Sequence, residues 1–118
     1  MAPRHFLKWG FLSLMLFAAT VPLAAPQDTV AAHFERGNAL YTKGDLDGAI
    51  AEFREGLRLK PDDPVAHVNL GGALAGKGDL EGAIAELGEG LRLKPDLPLA
   101  QSALTELLAK KARTESKH

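Results

Sequence analysis

The sequence predicts an all-α fold: a right-handed stack of two antiparallel helix hairpins and a C-terminal capping helix, behind an apolar amino-terminal segment. Three observations predict it. Residues Gly37 to Pro61 (GNALYTKGDLDGAIAEFREGLRLKP) return as Gly71 to Pro95 (GGALAGKGDLEGAIAELGEGLRLKP), with 19 of 25 positions identical. The 34-residue period marks a stacked repeat whose units are each too small to bury their own apolar face. Apolar residues within each copy recur at helical spacing, and the same stop-and-start signals separate the helices in both copies.

The chain begins with Met1 to Lys8, which carries Arg4 and Lys8 and no acid, followed by the uncharged run Trp9–Ala25, WGFLSLMLFAATVPLAA. That order is the one found in secretory signal peptides. The run is short for a membrane span, which needs about 20 residues, and Pro22 interrupts it, so residues 1–25 read as a signal peptide. If kept, residues 9–25 would tether the protein to a membrane. In either case the basic start stays cytoplasmic and the rest lies on the far side, so a periplasmic or extracellular location is expected.

Residues 26–112 form the expected domain, with repeats at 30–63 and 64–97, a capping helix at 98–112 and a basic tail at 113–118. Val30, His33, Phe34, Gly37, Leu40 and Tyr41 share one helical face, and Leu46, Ala49, Ile50, Phe53 and Leu57 share another. Between them, Gly44 suits a left-handed helix end and Asp45 can cap the next helix. Lys77-Gly78-Asp79 repeats this punctuation, and Asp63-Pro64 supplies a cap and a first-turn proline for the second unit. Glu55 with Arg58, and Glu89 with Arg92, stand three apart as surface pairs. Leu99, Ala103, Leu104, Leu107 and Leu108 carry the phase into the capping helix.

Composition narrows the function. The chain has no cysteine, which removes disulfides, thiolate metal sites and thiol nucleophiles. Beyond residue 25 it carries 12 basic and 15 acidic groups, without the basic surplus of a nucleic-acid-binding domain. No hydrolase, metalloprotease or nucleotide-binding fingerprint occurs, so neither a catalytic residue nor a cofactor is expected. His33 and His67 are related by the repeat, but equivalent positions on packed helices lie about 8–10 Å apart, too far to share one zinc at about 2 Å. They read as packing residues.

The repeating helix pair, with Leu70-Gly71, Ala83 and Pro95 in one copy and Gly37, Ala49, Phe53 and Pro61 in the other, resembles the tetratricopeptide repeat across residues 30–112. His33 and His67 replace its usual Trp, Arg36 its Leu and Leu87 its second aromatic, while Gly56 and Gly90 stand where Ala is common. The resemblance implies a module that binds a protein or peptide segment on a concave face lined by the first helix of each unit. Between copies, Ala31 becomes Val65, Phe34 becomes Val68, Asn38 becomes Gly72, Tyr41 becomes Ala75 and Thr42 becomes Gly76, so divergence falls on one face of that helix. The expected groove residues are Phe34, Asn38, Tyr41, Val65, Val68, Asn69 and Leu99. A subgroup of the family clamps a terminal carboxylate with Lys and Arg, but Phe34, Leu99 and Ala103 occupy those places, so that ligand is not expected. Helix-interior glycines cost about 1 kcal/mol each against Ala, and a stable array usually needs three units. Two glycine-rich units therefore leave a second reading, a homo-oligomeric structural unit in which the groove, or the open end near Val30 and Phe34, receives another copy.

Overall fold

A computed structural model describes residues 29–117, and within them five helices follow one another: α1 (Val30–Lys43), α2 (Leu46–Leu59), α3 (Pro64–Gly76), α4 (Leu80–Leu93) and α5 (Pro98–Ser116). The leader expected at residues 1–25 lies outside the described residues. Each helix packs on the next, so α1 with α2 and α3 with α4 form two stacked hairpins and α5 covers the second. No strand occurs among the described residues.

Local signals set the boundaries. Thr29, Asp45, Asp63 and Asp79 each accept an amide hydrogen bond from the third residue onward, at 3.1, 3.0, 3.1 and 2.9 Å, satisfying donors that a helix start leaves unpaired. Gly44 and Gly78 adopt φ of 87° and 88°. There the chain folds back so that Asp45 N donates to Leu40 O and Asp79 N to Leu74 O, both at 2.9 Å, the double-bonded helix ending that favours glycine. The start of α5 departs from this pattern, because Leu97 stands where Asp63 stands one unit earlier and offers no side-chain cap.

The core is built mainly from α2 and α3, with Ala49, Ile50, Phe53, Leu57, Ala66, Leu70, Ala73 and Leu74 buried together with Ala83 of α4. Phe53 lies on Gly37 so closely that a Cβ there would stand 2.6 Å from its ring. Phe34 makes the reciprocal contact on Gly56, also closer than a Cβ permits. In the second hairpin Leu87 lies on Gly71 and Val68 on Gly90, where a Cβ would stand 3.1 and 2.9 Å from the nearest side-chain atom. Glycines that look costly by helix propensity are thus points of close helix approach. Gly88 differs, with nothing within 4 Å of an added Cβ.

Helix α5 is the first helix of a third unit in the same register. Lys77 reaches Asp47 at 2.7 Å, and one repeat later Lys111 reaches Glu81 at 3.5 Å. His67 Nε2 lies 2.8 Å from the Pro61 carbonyl, and Gln101 Nε2 donates to the Pro95 carbonyl at 2.7 Å. The helix continues to Ser116, past the expected end at 112. No glycine or proline stops it, and Thr114 and Ser116 bond backward onto the carbonyls of Lys110 and Arg113.

Each repeat histidine ties its hairpin together. His33 Nδ1 lies 2.7 Å from Glu52 and His67 Nδ1 2.6 Å from Glu86. The hydrogen bond from His33, aided by Arg36, outweighs burial and holds Glu52 below the usual carboxylate range. Burial disfavours charge on His67, yet the Glu86 carboxylate and the Pro61 carbonyl more than offset it and raise its pKa above 6.5. Both ring nitrogens of His67 face acceptors, and only the imidazolium can donate to both. The expected surface pairs also form, with Arg58 on Glu55 at 2.6 Å and Arg92 on Glu89 at 2.5 Å.

Two outcomes are expected. In urea denaturation Gly56→Ala should lose about 1–3 kcal/mol through overpacking against Phe34, whereas Gly88→Ala should gain about 1 kcal/mol from helix propensity. Because the folded pKa of His67 is raised, its stabilisation is complete below the unfolded value of about 6.5 and is lost as pH rises through the folded value. Thermal melts from about pH 6 upward should show that decline in the parent. His67→Gln, which can keep the carbonyl bond as Gln101 does, should flatten it.

Candidate functional site

A groove of about 410 Å³ opens across the first helices of the successive units, lined by α1, α3 and α5 with Phe53 and Leu87 contributed from behind. Each first helix turns one face to its own hairpin partner and another to the groove, so residues three and four apart can serve different surfaces. Asn38 and Tyr41 enter from α1, Val68 and Asn69 from α3, and Leu99 from α5. These are five of the seven residues expected from sequence.

The other two lie elsewhere. Val65 borders a smaller apolar cleft of about 210 Å³ with Leu97 and Pro98, which shares Val68 and Leu99 with the groove. Phe34 does not line the groove: its ring is turned onto Gly56 of α2. The absence of a side chain at Gly56 opens a seat that draws the aromatic ring inward. The groove also takes in Gly72, Ala75, Ala103, Glu106 and Leu107, outside the expected set, although Gly72 and Ala75 are among the positions where the copies diverge and Ala103 stands at one of the clamp places the resemblance implies. Val68, the counterpart of Phe34 in the second unit, faces Gly90 in a similar way yet also borders the groove, so the glycine seat alone does not decide which residue lines it.

The surface is apolar with a few fixed polar groups. Tyr41, Val65 and Leu99 are 45%, 54% and 87% exposed, and large apolar side chains left open beside a groove mark a binding surface. Tyr41 leans from α1 toward α3, its hydroxyl 3.6 Å from where a Cβ on Gly72 would stand. Asn69 Nδ2 donates to Asn38 Oδ1 at 3.2 Å, linking α1 to α3. That bond leaves one amide carbonyl and one NH₂ available, the complement of a peptide backbone. No Lys, Arg or His lines the groove.

His33 and His67 are turned to Glu52 and Glu86 within their separate hairpins. Among the described residues no cluster of three or more His, Cys, Asp or Glu is placed to hold a metal ion.

Comparison with known proteins addresses the fold and the family. The structure described as the first TPR of Spaghetti (RPAP3) bound to HSP90 peptide SRMEEVD is similar, with a TM-score of 0.72 at 18% identity, over 92% of this chain and 86% of that one. At that identity the likeness is one of fold. No curated protein matches in sequence. Residues 37–78 match the family described as TPR repeat and residues 65–97 the family described as tetratricopeptide repeat, and together with the repeated hairpins these matches place the chain in the tetratricopeptide-repeat family.

Proposed function

We propose that this chain is an exported protein-interaction module, without enzymatic activity, that holds a segment of another protein in the groove formed by α1, α3 and α5. The observation that carries this reading is the pairing of Asn38 with Asn69 amid exposed apolar side chains. The amides supply backbone hydrogen bonds, and Tyr41, Val68 and Leu99 supply the apolar contacts that anchor a segment in a helical groove. The similar solved domain has a peptide bound, which supports the same use of this fold. Export rests on the basic and apolar order of residues 1–25. Among the described residues no helix is long and apolar enough to cross a membrane, so a tether would depend on residues 9–25.

Site-specific photocrosslinking tests the reading in cells. With p-benzoylphenylalanine at position 41, irradiation should give an adduct to a second protein, while the same group at exposed position 54 on α2 should give none. An adduct of twice the chain mass would mean self-association instead, and equal labelling at both positions would reject the groove. For a captured segment, Tyr41→Ala should weaken binding by about 1–2 kcal/mol or more, as expected for an aromatic anchor. Intact-mass analysis of the exported product should show residues 1–25 removed.

A further inference from the structure

The groove carries a single formal charge, and that charge is unpaired. Glu106 is the sole Lys, Arg, His, Asp or Glu among the lining residues. It makes no ion pair or hydrogen bond among the described residues, although Lys110 stands one turn along the same helix. Of the seven other described glutamates, Glu52, Glu55, Glu81, Glu86, Glu89 and Glu115 have a basic or histidine partner, while Glu35 has none but lies outside the groove lining.

Glu106 follows Asn38 and Gly72 at the repeat interval, so the three occupy the same position on α1, α3 and α5 and form one row across the groove. Read along that row, the ligand meets an amide, then bare backbone, then a carboxylate. The gap at Gly72 is bordered by the Tyr41 hydroxyl, with Ala75 and Val68 also in the lining. Glu106 is exposed and also borders a second cleft with Gln101 and Thr105, so a neutral apolar segment laid over this row would remove part of its water without replacing it, which disfavours the carboxylate. An acidic segment would add repulsion. A Lys or Arg escapes both penalties, because its methylene stem can lie on apolar and aromatic surface while its head meets the carboxylate.

Resting on the groove reading above, we propose that the ligand is a segment with apolar anchors and one Lys or Arg, whose stem crosses Gly72 beside Tyr41 and whose cationic head pairs with Glu106, and that acidic segments are rejected.

The test is selection of a random dodecapeptide display library on the full-length chain in mild non-ionic detergent, followed by affinity measurement on Glu106→Gln and Glu106→Lys. Retained peptides should be those lost on Tyr41→Ala, and Lys or Arg should be enriched among them at one position between apolar residues. Glu106→Gln should weaken them roughly three- to tenfold, between the effects of an exposed and a buried ion pair. Glu106→Lys should reverse the charge preference, and the acidic probe SRMEEVD should fail to bind the parent chain. Tyr41-dependent peptides that lack the basic residue, or that bind Glu106→Gln as well as the parent, would overturn this inference and leave the groove reading standing. Recovery of no Tyr41-dependent peptide would overturn both.

Discussion

The architecture depends on close approach between the two helices of each hairpin, made where a large side chain rests directly on a glycine. Phe53 on Gly37 and Phe34 on Gly56 form a reciprocal pair in the first hairpin, and Leu87 on Gly71 with Val68 on Gly90 repeats it in the second. Burial of a large apolar side chain contributes about 1.5–3 kcal/mol, which outweighs the roughly 1 kcal/mol propensity cost of a glycine in a helix. With the paired helices held close, the inner face of each hairpin is committed to the core. The remaining face of α1, α3 and α5 is left to form the groove, and for that reason Phe34 belongs to the hairpin while Tyr41, two turns on, belongs to the groove.

The repeat register then distributes function along the stack. Where the register carries structure it is kept: His67 and Gln101 bond the carbonyls of Pro61 and Pro95, and Lys77 and Lys111 reach acids one unit apart. Where it faces the groove it varies, giving Asn38, Gly72 and Glu106 in one row and Tyr41 and Ala75 in another. A repeat can vary those side chains cheaply because they are not seated between helices. The resulting surface combines amide hydrogen bonding, aromatic contact and one negative charge.

Helices, turns and caps were legible in the sequence because each is decided within a few residues, as at Gly44-Asp45 and Asp63-Pro64. Asn38, Tyr41 and Val68 were legible because divergence between copies marks one helical face, and Asn69 and Leu99 because the resemblance places the first helix of each unit along the groove. Phe34 was misplaced because its direction depends on Gly56, which lies on another helix, and helical spacing alone does not say which neighbour a ring meets. Glu106 and Leu107 were missed because the near-identical stretch ends at Pro95, so that only the bare 34-residue interval carries Asn38 and Gly72 on to Glu106, and their place is fixed by the packing of α5 on α4. The pairs His33 with Glu52 and His67 with Glu86 join one helix of a hairpin to the other and likewise emerge only once the hairpin closes.

If the glycine-seated contacts make the two hairpins and α5 self-sufficient, the groove is open for a foreign segment and not filled by another copy. Multi-angle light scattering with circular dichroism over a concentration series, on the chain from Gln27 onward, tests this most directly. A monomer mass with constant helicity at every concentration is the predicted result. A dimer that gains helicity as it forms would contradict it, and would make a second copy of the chain the first partner.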